Sequence, residues 1–192
     1  MPYPSGEFSE RTEEDLIRAV RSIGSHFKTD TVFIIGSQAI LLDQPAAPAN
    51  LRTTDEIDAY PGNFEEWEAR NPDNLASEEI NAWFGAGSDF HETFGFYIDG
   101  VDENTAKFPP GWKARAIRKT LKDGAKFIHV VAPCLEDLIV SKLHRLDPKD
   151  KKFIQACGQM QPLNLTLIKA RLEETKPAPE IIAGAFAFLD SL

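Results

Sequence analysis

Two short segments of the chain carry side chains that could bind phosphate and a divalent cation. In the first segment, an apolar run over residues 32–35 ends in Gly36-Ser37. A strand that leads through such a turn into a helix offers backbone N–H groups and a hydroxyl to phosphate oxygens. In the second, Glu56 and Asp58 would point to one face of a strand, because side chains alternate with period two. Two carboxylates beside a phosphate site are what Mg²⁺-dependent phosphoryl chemistry requires.

The acidic segment has a feature that ordinary strands avoid. Asp55, Glu56 and Asp58 place three acids within four consecutive positions. Acidic residues are poor strand formers and like charges repel, so a bound divalent cation would remove this conflict. The other interpretation is a solvated edge strand with alternating polarity. Asp55 should point away from the other two acids, and we expect it to lie outside a metal site.

The composition limits the class of protein. The 192 residues fit one domain, and 42% apolar residues suffice for an ordinary core. A net charge of -9 argues against a protein whose whole surface binds nucleic acid. Two cysteines, Cys134 and Cys157, are too few for a disulfide framework, so we expect a reducing cytoplasm. The first residues do not resemble a signal peptide, and no apolar run approaches the roughly 20 residues that span a bilayer. We therefore expect no membrane partner.

Hydrophobic spacing and turn residues predict the elements that must position these side chains. A helix begins near Thr12, where acidic residues follow, and a second helix begins near Ser37. Asp123-Gly124 indicates the turn of a hairpin. The predicted strands are residues 31–35, 54–60, 94–101, 115–121 and 126–131.

The remaining segments complete the predicted fold class. Residues 63–92 are acidic and irregular, with Ser77 capping a short helix. Residues 133–192 form a helical C-terminal part in which Pro148 suits the first position of a helix. Residues 1–11 form a loosely ordered tail. Strands mixed with helices, followed by helices alone, predict an α+β protein with a mixed sheet flanked by helices, in a single domain.

Taken together, these segments resemble the core signature of the nucleotidyltransferase superfamily, which has a polymerase-beta-like fold. The family pattern is a strand, a Gly-Ser turn, a helix, and a strand with two acids separated by one residue. Arg52 and Thr54 match the Arg-x-Thr-x-Asp-x-Asp pattern of a minimal bacterial branch that includes toxins of AbiEii type. Glu56 replaces the first Asp of that pattern, and Asp58 matches the second. Glutamate still ligates Mg²⁺ through oxygen, but its extra methylene shifts the ion.

A second block of the same family is similar to the segment that begins at residue 133. In the family, a helix carries a Lys, then an Arg, then a basic residue followed by an Asp, and Lys142, Arg145, Lys149 and Asp150 fill these positions. The resemblance implies that Lys142 lies near the nucleotide phosphates and that Asp150 contributes to activity. The residues alone support part of this, because a Lys and an Arg three positions apart on one helical face suit a triphosphate. The alternative is a solvated basic face with an incidental ion pair.

The superfamily usually has a third carboxylate on a strand beside the first two. Asp99 and Asp102 are the candidates in this chain. Asp99 ends an aromatic strand, which is the better placement for a metal ligand, whereas Asp102 is typical of a turn. The sequence leaves a metal-binding role and a loop role open for Asp99.

The resemblance implies Mg²⁺-dependent transfer of a nucleotide from a nucleoside triphosphate to a tRNA or protein acceptor. It also implies the toxin of a toxin–antitoxin system, with an antitoxin as a partner. A catalytically inactive binding module of the same fold is one alternative. An antibiotic nucleotidyltransferase with an acidic pocket from residues 65–92 is another. Nothing in the sequence selects the nucleotide base, the acceptor or the oligomeric state. The implied sites are Glu56, Asp58, Lys142 and Asp150 for catalysis, Glu56, Asp58 and Asp99 for the metal, and Gly36, Ser37, Arg52, Thr54, Arg145 and Lys149 for the nucleotide.

Overall fold

The computed structural model describes residues 9–192. Within this range, helices pack against one five-stranded mixed sheet and more helices follow it, which confirms the predicted α+β class. In chain order, the elements are α1 Glu13–Phe27, β1 Thr31–Ile34, a 3-10 turn Ser37–Ala39, α2 Ile40–Asp43, α3 Ala49–Arg52, β2 Glu56–Pro61, α4 Phe64–Arg70, α5 Ala76–Phe84, α6 Asp89–Phe94, β3 Tyr97–Gly100, α7 Trp112–Arg115, β4 Ile117–Asp123, β5 Lys126–Ala132, α8 Leu135–Leu143, α9 Pro148–Met160, α10 Leu165–Glu174 and α11 Pro179–Leu189.

The strands lie in the order β3-β2-β1-β5-β4. β1 runs antiparallel to β2 and parallel to β5, whereas β2 and β3 are parallel and the β4–β5 hairpin is antiparallel. Val32, Ile34 and Ile57 are fully buried on one face of the sheet. Glu56 and Asp58 alternate with these buried positions and are only partly buried. The sheet therefore presents its two acids on the face opposite to these buried side chains.

Helix α1 begins where the sequence predicts. Thr12 is its N-cap and forms a capping box with Asp15, in which each side chain accepts a hydrogen bond from the other residue's backbone N–H. Leu16, Val20 and Ile23 are buried along one face of the helix. That face packs against the sheet, as the spacing of apolar residues indicates.

The helix predicted to begin at Ser37 is shorter than an ordinary helix. The chain makes the 3-10 turn first and then continues as α2, which ends at Asp43. Pro45 and Pro48 follow within a loop, because proline cannot continue a helix. A further short helix, α3, leads into β2 and was not predicted.

The prediction that residues 63–92 are irregular apart from one helix is wrong. Helices α4, α5 and α6 lie between β2 and β3. Ser77 does not cap α5, because this helix already begins at Ala76. The backbone N–H of Ala76 donates instead to Glu68 Oε1 at 2.9 Å, so a side chain from the preceding helix satisfies the helix end.

The strand predicted over residues 94–101 is shorter. Phe94 ends α6, and Gly95 follows with a φ of 71°, a left-handed conformation that terminates a helix. Only Tyr97–Gly100 pairs with β2. A Cβ on Gly100 would lie 2.1 Å from the carbonyl oxygen of Ser77, so glycine permits the close contact between β3 and α5.

The predicted hairpin and the helical C-terminal part are confirmed. Gly124 has a φ of 60° in the turn between β4 and β5. Pro148 occupies the first turn of α9, and Asp147 caps this helix by accepting a hydrogen bond from the backbone N–H of Asp150 at 2.9 Å. Helices α10 and α11 complete the chain.

Most of the loosely ordered tail predicted for residues 1–11 lies outside the described residues. Its last residues are held in place. Glu10 forms a bridge with Thr53, and the backbone N–H of Arg11 donates to the carbonyl oxygen of Arg52 at 2.8 Å. In the part of the chain that the structure describes, no helix combines the length and the apolar character needed to cross a membrane.

Candidate active site

The Gly-Ser turn lies against the acidic strand. Gly36 has φ -83° and ψ -164°, which any residue can adopt, so its backbone conformation does not require glycine. Space does require it: a Cβ at this position would lie 1.5 Å from Asp58 Oδ2. The missing side chain therefore lets the backbone of the turn pack directly onto the Asp58 carboxylate. Glycine commonly occupies positions where the backbone must come this close to another group or a ligand.

The three acids predicted to bind metal lie on two adjacent strands. Glu56 and Asp58 are two positions apart on β2 and share a face. The register of the parallel pair places Asp99 of β3 beside Asp58. Asp102, the other candidate, accepts a hydrogen bond from the backbone N–H of Asn104 at 2.6 Å, which is the turn role expected for it.

Asp58 is held in an unfavourable ionised state. Burial, which is the largest cause, and the negative charges of Glu56 and Asp99 together raise its pKa to about 6. Burial, with Glu56 second, also raises the pKa of Asp99. Such a cluster gains stability from any cation that lies between its carboxylates.

Glu56 differs because it has a cation of its own. Lys149 Nζ lies 3.0 Å from Glu56 Oε1, and the Tyr97 hydroxyl donates to Glu56 Oε2 at 3.1 Å. Burial pushes the pKa of Glu56 upward, but these two hydrogen bonds and the ammonium charge outweigh it and leave the pKa below its usual value. At neutral pH, Glu56 is therefore ionised and paired.

Lys142 of α8 contacts the Gly-Ser turn. Lys142 Nζ donates to Ser37 Oγ at 3.0 Å and lies 3.4 Å from Asp150 Oδ1. The residue is 8% exposed, and burial lowers the pKa of its ammonium despite the attraction of Asp150. A buried lysine fixed beside a hydroxyl is well placed to meet a phosphate.

Asp150 organises these cations. It is fully buried, and Arg145 binds it in a bidentate fashion, with Nε 2.8 Å from Oδ2 and Nη2 2.9 Å from Oδ1. This contact raises the pKa of the Arg145 guanidinium. Since Asp150 also holds Lys142, its carboxylate positions both cations, and we describe it as a positioning residue.

Several of these groups line one cavity of about 440 Å³, whereas Tyr97, Asp99 and Asp150 are not part of its lining. Its size lies within the roughly 300–1,000 Å³ that small-ligand sites occupy. Carboxylates face cations across it, so it offers ligands to both a metal and a polyphosphate. Residues 65–92 contribute none of the side chains that line this cavity in the described chain, so they do not supply an acidic pocket here. The predicted residues that line the cavity are Gly36, Ser37, Glu56, Asp58, Lys142, Arg145 and Lys149.

Two predicted nucleotide ligands lie elsewhere. Arg52 donates to the carbonyl oxygens of Ala47 at 2.6 Å and Arg11 at 3.0 Å, and to Glu10 Oε2 at 2.6 Å. These bonds fasten the chain that precedes α1 to the end of α3. Thr54 is buried next to the acidic strand and lines a neighbouring cavity.

Tyr97 and Lys107 belong to the site although no motif predicted them. Tyr97 precedes Asp99 by two positions on β3, so alternation could have placed it beside Glu56. Lys107 lines the cavity from the connection between β3 and α7. No local pattern marks Lys107, because that connection has no regular structure.

The side chains as they stand do not form a complete metal cage. Within residues 9–192, no group of three or more His, Cys, Asp and Glu side chains is arranged to hold a metal ion. Mg²⁺ is commonly bound by one or two carboxylates together with substrate phosphates. The site therefore offers acidic ligands to an ion that a nucleotide would help to bind.

Comparison with known families agrees with this geometry. The sequence matches the model of a family described as nucleotidyltransferase of unknown function (DUF6036) over residues 14–183, which is most of the chain. Comparisons with curated proteins and with solved structures find no match. The matched range includes every residue of the site described above. The closer resemblance to toxins of AbiEii type stays a prediction. The chain belongs to this family of nucleotidyltransferases of unknown function.

Proposed function

We propose that the cavity binds a nucleoside triphosphate with Mg²⁺ and that the protein transfers the nucleotidyl group to an acceptor hydroxyl. The contact between the Gly36 backbone and the Asp58 carboxylate carries this proposal. It places the turn suited to phosphate directly beside the acids suited to metal. Membership of a nucleotidyltransferase family supports the reaction class.

The acids suit Mg²⁺ in their chemistry. Glu56, Asp58 and Asp99 offer carboxylate oxygens, which are the ligands that this ion prefers. The pKa of Asp58, raised to about 6 by burial and by its two acidic neighbours, indicates uncompensated negative charge. When bound, Mg²⁺ would neutralise charge on the phosphates and on the attacking oxygen. Lys149 would have to leave Glu56, and its exposed side chain permits this.

The basic residues would bind the polyphosphate. Lys142, Arg145 and Lys149 line the same cavity as Glu56 and Asp58 and would donate to phosphate oxygens. Asp150 would keep the first two in position. The acceptor hydroxyl attacks the α-phosphorus, the bond from that phosphorus to the bridging oxygen of the β-phosphate breaks, and pyrophosphate leaves. The acceptor hydroxyl would lose its proton to solvent water, since the three acids serve as metal ligands in this proposal.

The resemblance in sequence supports a narrower proposal about the acceptor. Arg52 and Thr54 match the pattern of a branch that includes toxins. We therefore propose a tRNA 3′ end or a protein hydroxyl as the acceptor, and an antitoxin as a partner that controls the activity. Arg52 itself donates to the carbonyl oxygens of Ala47 and Arg11, and in this proposal it supports the fold rather than the ligand.

Transfer of label from the substrate tests the reaction class. The protein is incubated with Mg²⁺, extracted cellular RNA and protein, and a nucleoside triphosphate labelled on either the α- or the γ-phosphate. Nucleotidyl transfer predicts that α-label enters the acceptor and γ-label leaves as pyrophosphate. Digestion by ribonuclease or protease then identifies the acceptor. Transfer of γ-label, or α-transfer that survives in Asp58→Asn, would contradict the proposal.

One observation favours a second function, that of an inactive binding module. Lys149 is paired with Glu56, and Asp150 is paired with both Lys142 and Arg145, so many charged groups of the cavity already have partners within the chain. A module of this kind would bind its partner without metal. If expression of the protein slows cell growth, retention of this effect in the double variant Glu56→Gln, Asp58→Asn would favour the binding module over the enzyme.

A further inference from the structure

A second cavity lies beside the first and shares two residues with it. It measures about 410 Å³, and Ser37 and Lys149 line both cavities. It is enclosed by the 3-10 turn, by the connection from α3 to β2, and by the first turns of α9. A ligand with its phosphates at Ser37 could therefore extend into the second cavity without leaving the protein surface.

A buried amide in this cavity has an unused acceptor. Gln38 is 1% exposed, and its Nε2 donates to the carbonyl oxygen of Leu51 at 3.3 Å. This bond fixes the orientation of the amide, since Nε2 is the end that can donate. Among the described residues, Gln38 Oε1 accepts no hydrogen bond. A buried acceptor without a partner is costly, and proteins retain one where a ligand or a water supplies the donor.

A buried hydroxyl beside it has an unused donor. Thr54 is 9% exposed and lines the same cavity. Its Oγ1 accepts a hydrogen bond from the backbone N–H of Glu56 at 3.3 Å. Within residues 9–192 no acceptor receives the hydroxyl proton of Thr54. The cavity therefore offers one acceptor and one donor from side chains that are largely buried.

The rest of the lining limits what the ligand can be. Phe153, Leu51 and Pro148 give the cavity apolar walls, and Lys152 lies exposed at its edge. A flat heterocycle that carries an N–H donor beside an acceptor matches these walls and polar groups. Nucleobases have this pattern on their hydrogen-bonding edges and are held elsewhere by aromatic and apolar side chains.

We infer that the second cavity holds the base of the nucleoside triphosphate, with Gln38 Oε1 accepting from a base N–H and Thr54 donating to an adjacent acceptor. The inference rests on the proposed function, because it takes the phosphates to lie at Gly36-Ser37. It makes Gln38 and Thr54 the residues that distinguish one nucleotide from another. The resemblance implied nucleotide binding for Thr54 but not for Gln38, and it implied selection of the base for neither.

Calorimetric titration against two kinds of ligand tests the inference. Wild type, Gln38→Met and Asn50→Trp are titrated with ATP, GTP, CTP, UTP and tripolyphosphate, all with Mg²⁺. Tripolyphosphate carries the phosphates without base or sugar. Gln38→Met keeps the side-chain length and removes the amide. Asn50 is exposed and lines the cavity, so a tryptophan there blocks the cavity with little risk to folding. Lys151→Ala is the control, since Lys151 is exposed and lines neither cavity.

We expect Gln38→Met to lower the affinity for the preferred triphosphate by about three- to tenfold, which is the contribution of one hydrogen bond to an uncharged group. Asn50→Trp should lower the affinity for this triphosphate as well. The affinity for tripolyphosphate should stay within twofold of wild type in both variants. Unchanged triphosphate affinity in both variants would overturn the inference, and Gln38 would then hold only a buried water. Wild type that binds neither triphosphate nor tripolyphosphate would instead overturn the proposed function, and this inference with it.

Discussion

Replacement of Gly36 by alanine tests the geometry on which the site depends. The added Cβ would lie 1.5 Å from Oδ2 and 2.3 Å from Cγ of Asp58. Ordinary van der Waals contact begins at 3.4 Å, so the carboxylate must move by about 2 Å. A displacement of this size removes Asp58 from any shared ligand position. We expect the affinity for Mg²⁺ with nucleotide to fall by about 10- to 100-fold, as it does when a metal site loses the support of its ligands.

Stability should change much less than binding. Gly36 has an ordinary φ, so alanine adds crowding but no backbone strain. Crowding of this kind costs about 1–3 kcal/mol, which corresponds to a decrease in Tm of roughly 2–4 °C per kcal/mol for a chain of this size. Calorimetric titration and thermal unfolding measured on the same samples separate the two effects.

Gly184 offers a matched control for this substitution. It lies on α11, and a Cβ there would meet nothing within 4 Å. Gly184→Ala should leave nucleotide binding unchanged and raise stability by about 0.5–1 kcal/mol, because alanine favours the helix. If Gly36→Ala binds Mg²⁺ and nucleotide as wild type does, the carboxylate of Asp58 does not lie against this turn, and the account of the site is refuted.

Three further variants test the charges of the site. In metal-free protein, the raised pKa of Asp58 adds stability below about pH 4 that is lost as the pH rises through about 6, because the folded state binds the proton more tightly. Asp58→Asn should remove this loss and raise the free energy of unfolding at pH 7 by up to about 3 kcal/mol. If wild type and Asp58→Asn have superimposable pH profiles of thermal unfolding, this prediction is wrong. Asp150→Asn should lower the free energy of unfolding by about 3–5 kcal/mol, because it leaves the buried ammonium of Lys142 without its carboxylate. A midpoint of urea unfolding equal to that of wild type would contradict this role of Asp150. Lys149→Ala should raise the pKa of Glu56, because burial then acts with less opposition; a carboxyl-carbon NMR titration measures this pKa, and no rise would contradict the pairing.

The parts of the site that follow from local patterns could be predicted. The apolar run of β1, the Gly-Ser turn and the alternation of Glu56 and Asp58 are encoded within a few residues each. The aromatic run that Asp99 ends also placed it on a strand, and the parallel pairing of β2 with β3 brings it beside Asp58. The capping box of α1 is equally local.

The parts that depend on distant contacts could not be predicted. Lys149 meets Glu56 across 93 positions of the sequence, and no local signal announces this pair. Arg52 has the spacing of a ligand, yet the chain before α1 supplies the acceptors that hold it. Of the helices between β2 and β3, α4 was missed because it buries none of its side chains, so no apolar periodicity marks it.

Calorimetric titration of ATP, GTP, CTP and UTP, each with and without Mg²⁺, tests whether the cavity binds a nucleotide through a metal ion. Wild type is compared with Asp58→Asn and with Asp102→Asn, in which the same change falls on an acid that serves a turn. The account predicts that wild type and Asp102→Asn bind at least one nucleotide only when Mg²⁺ is present, and that Asp58→Asn loses this binding. Binding of no nucleotide by wild type, or binding that neither Mg²⁺ nor Asp58→Asn alters, would contradict it.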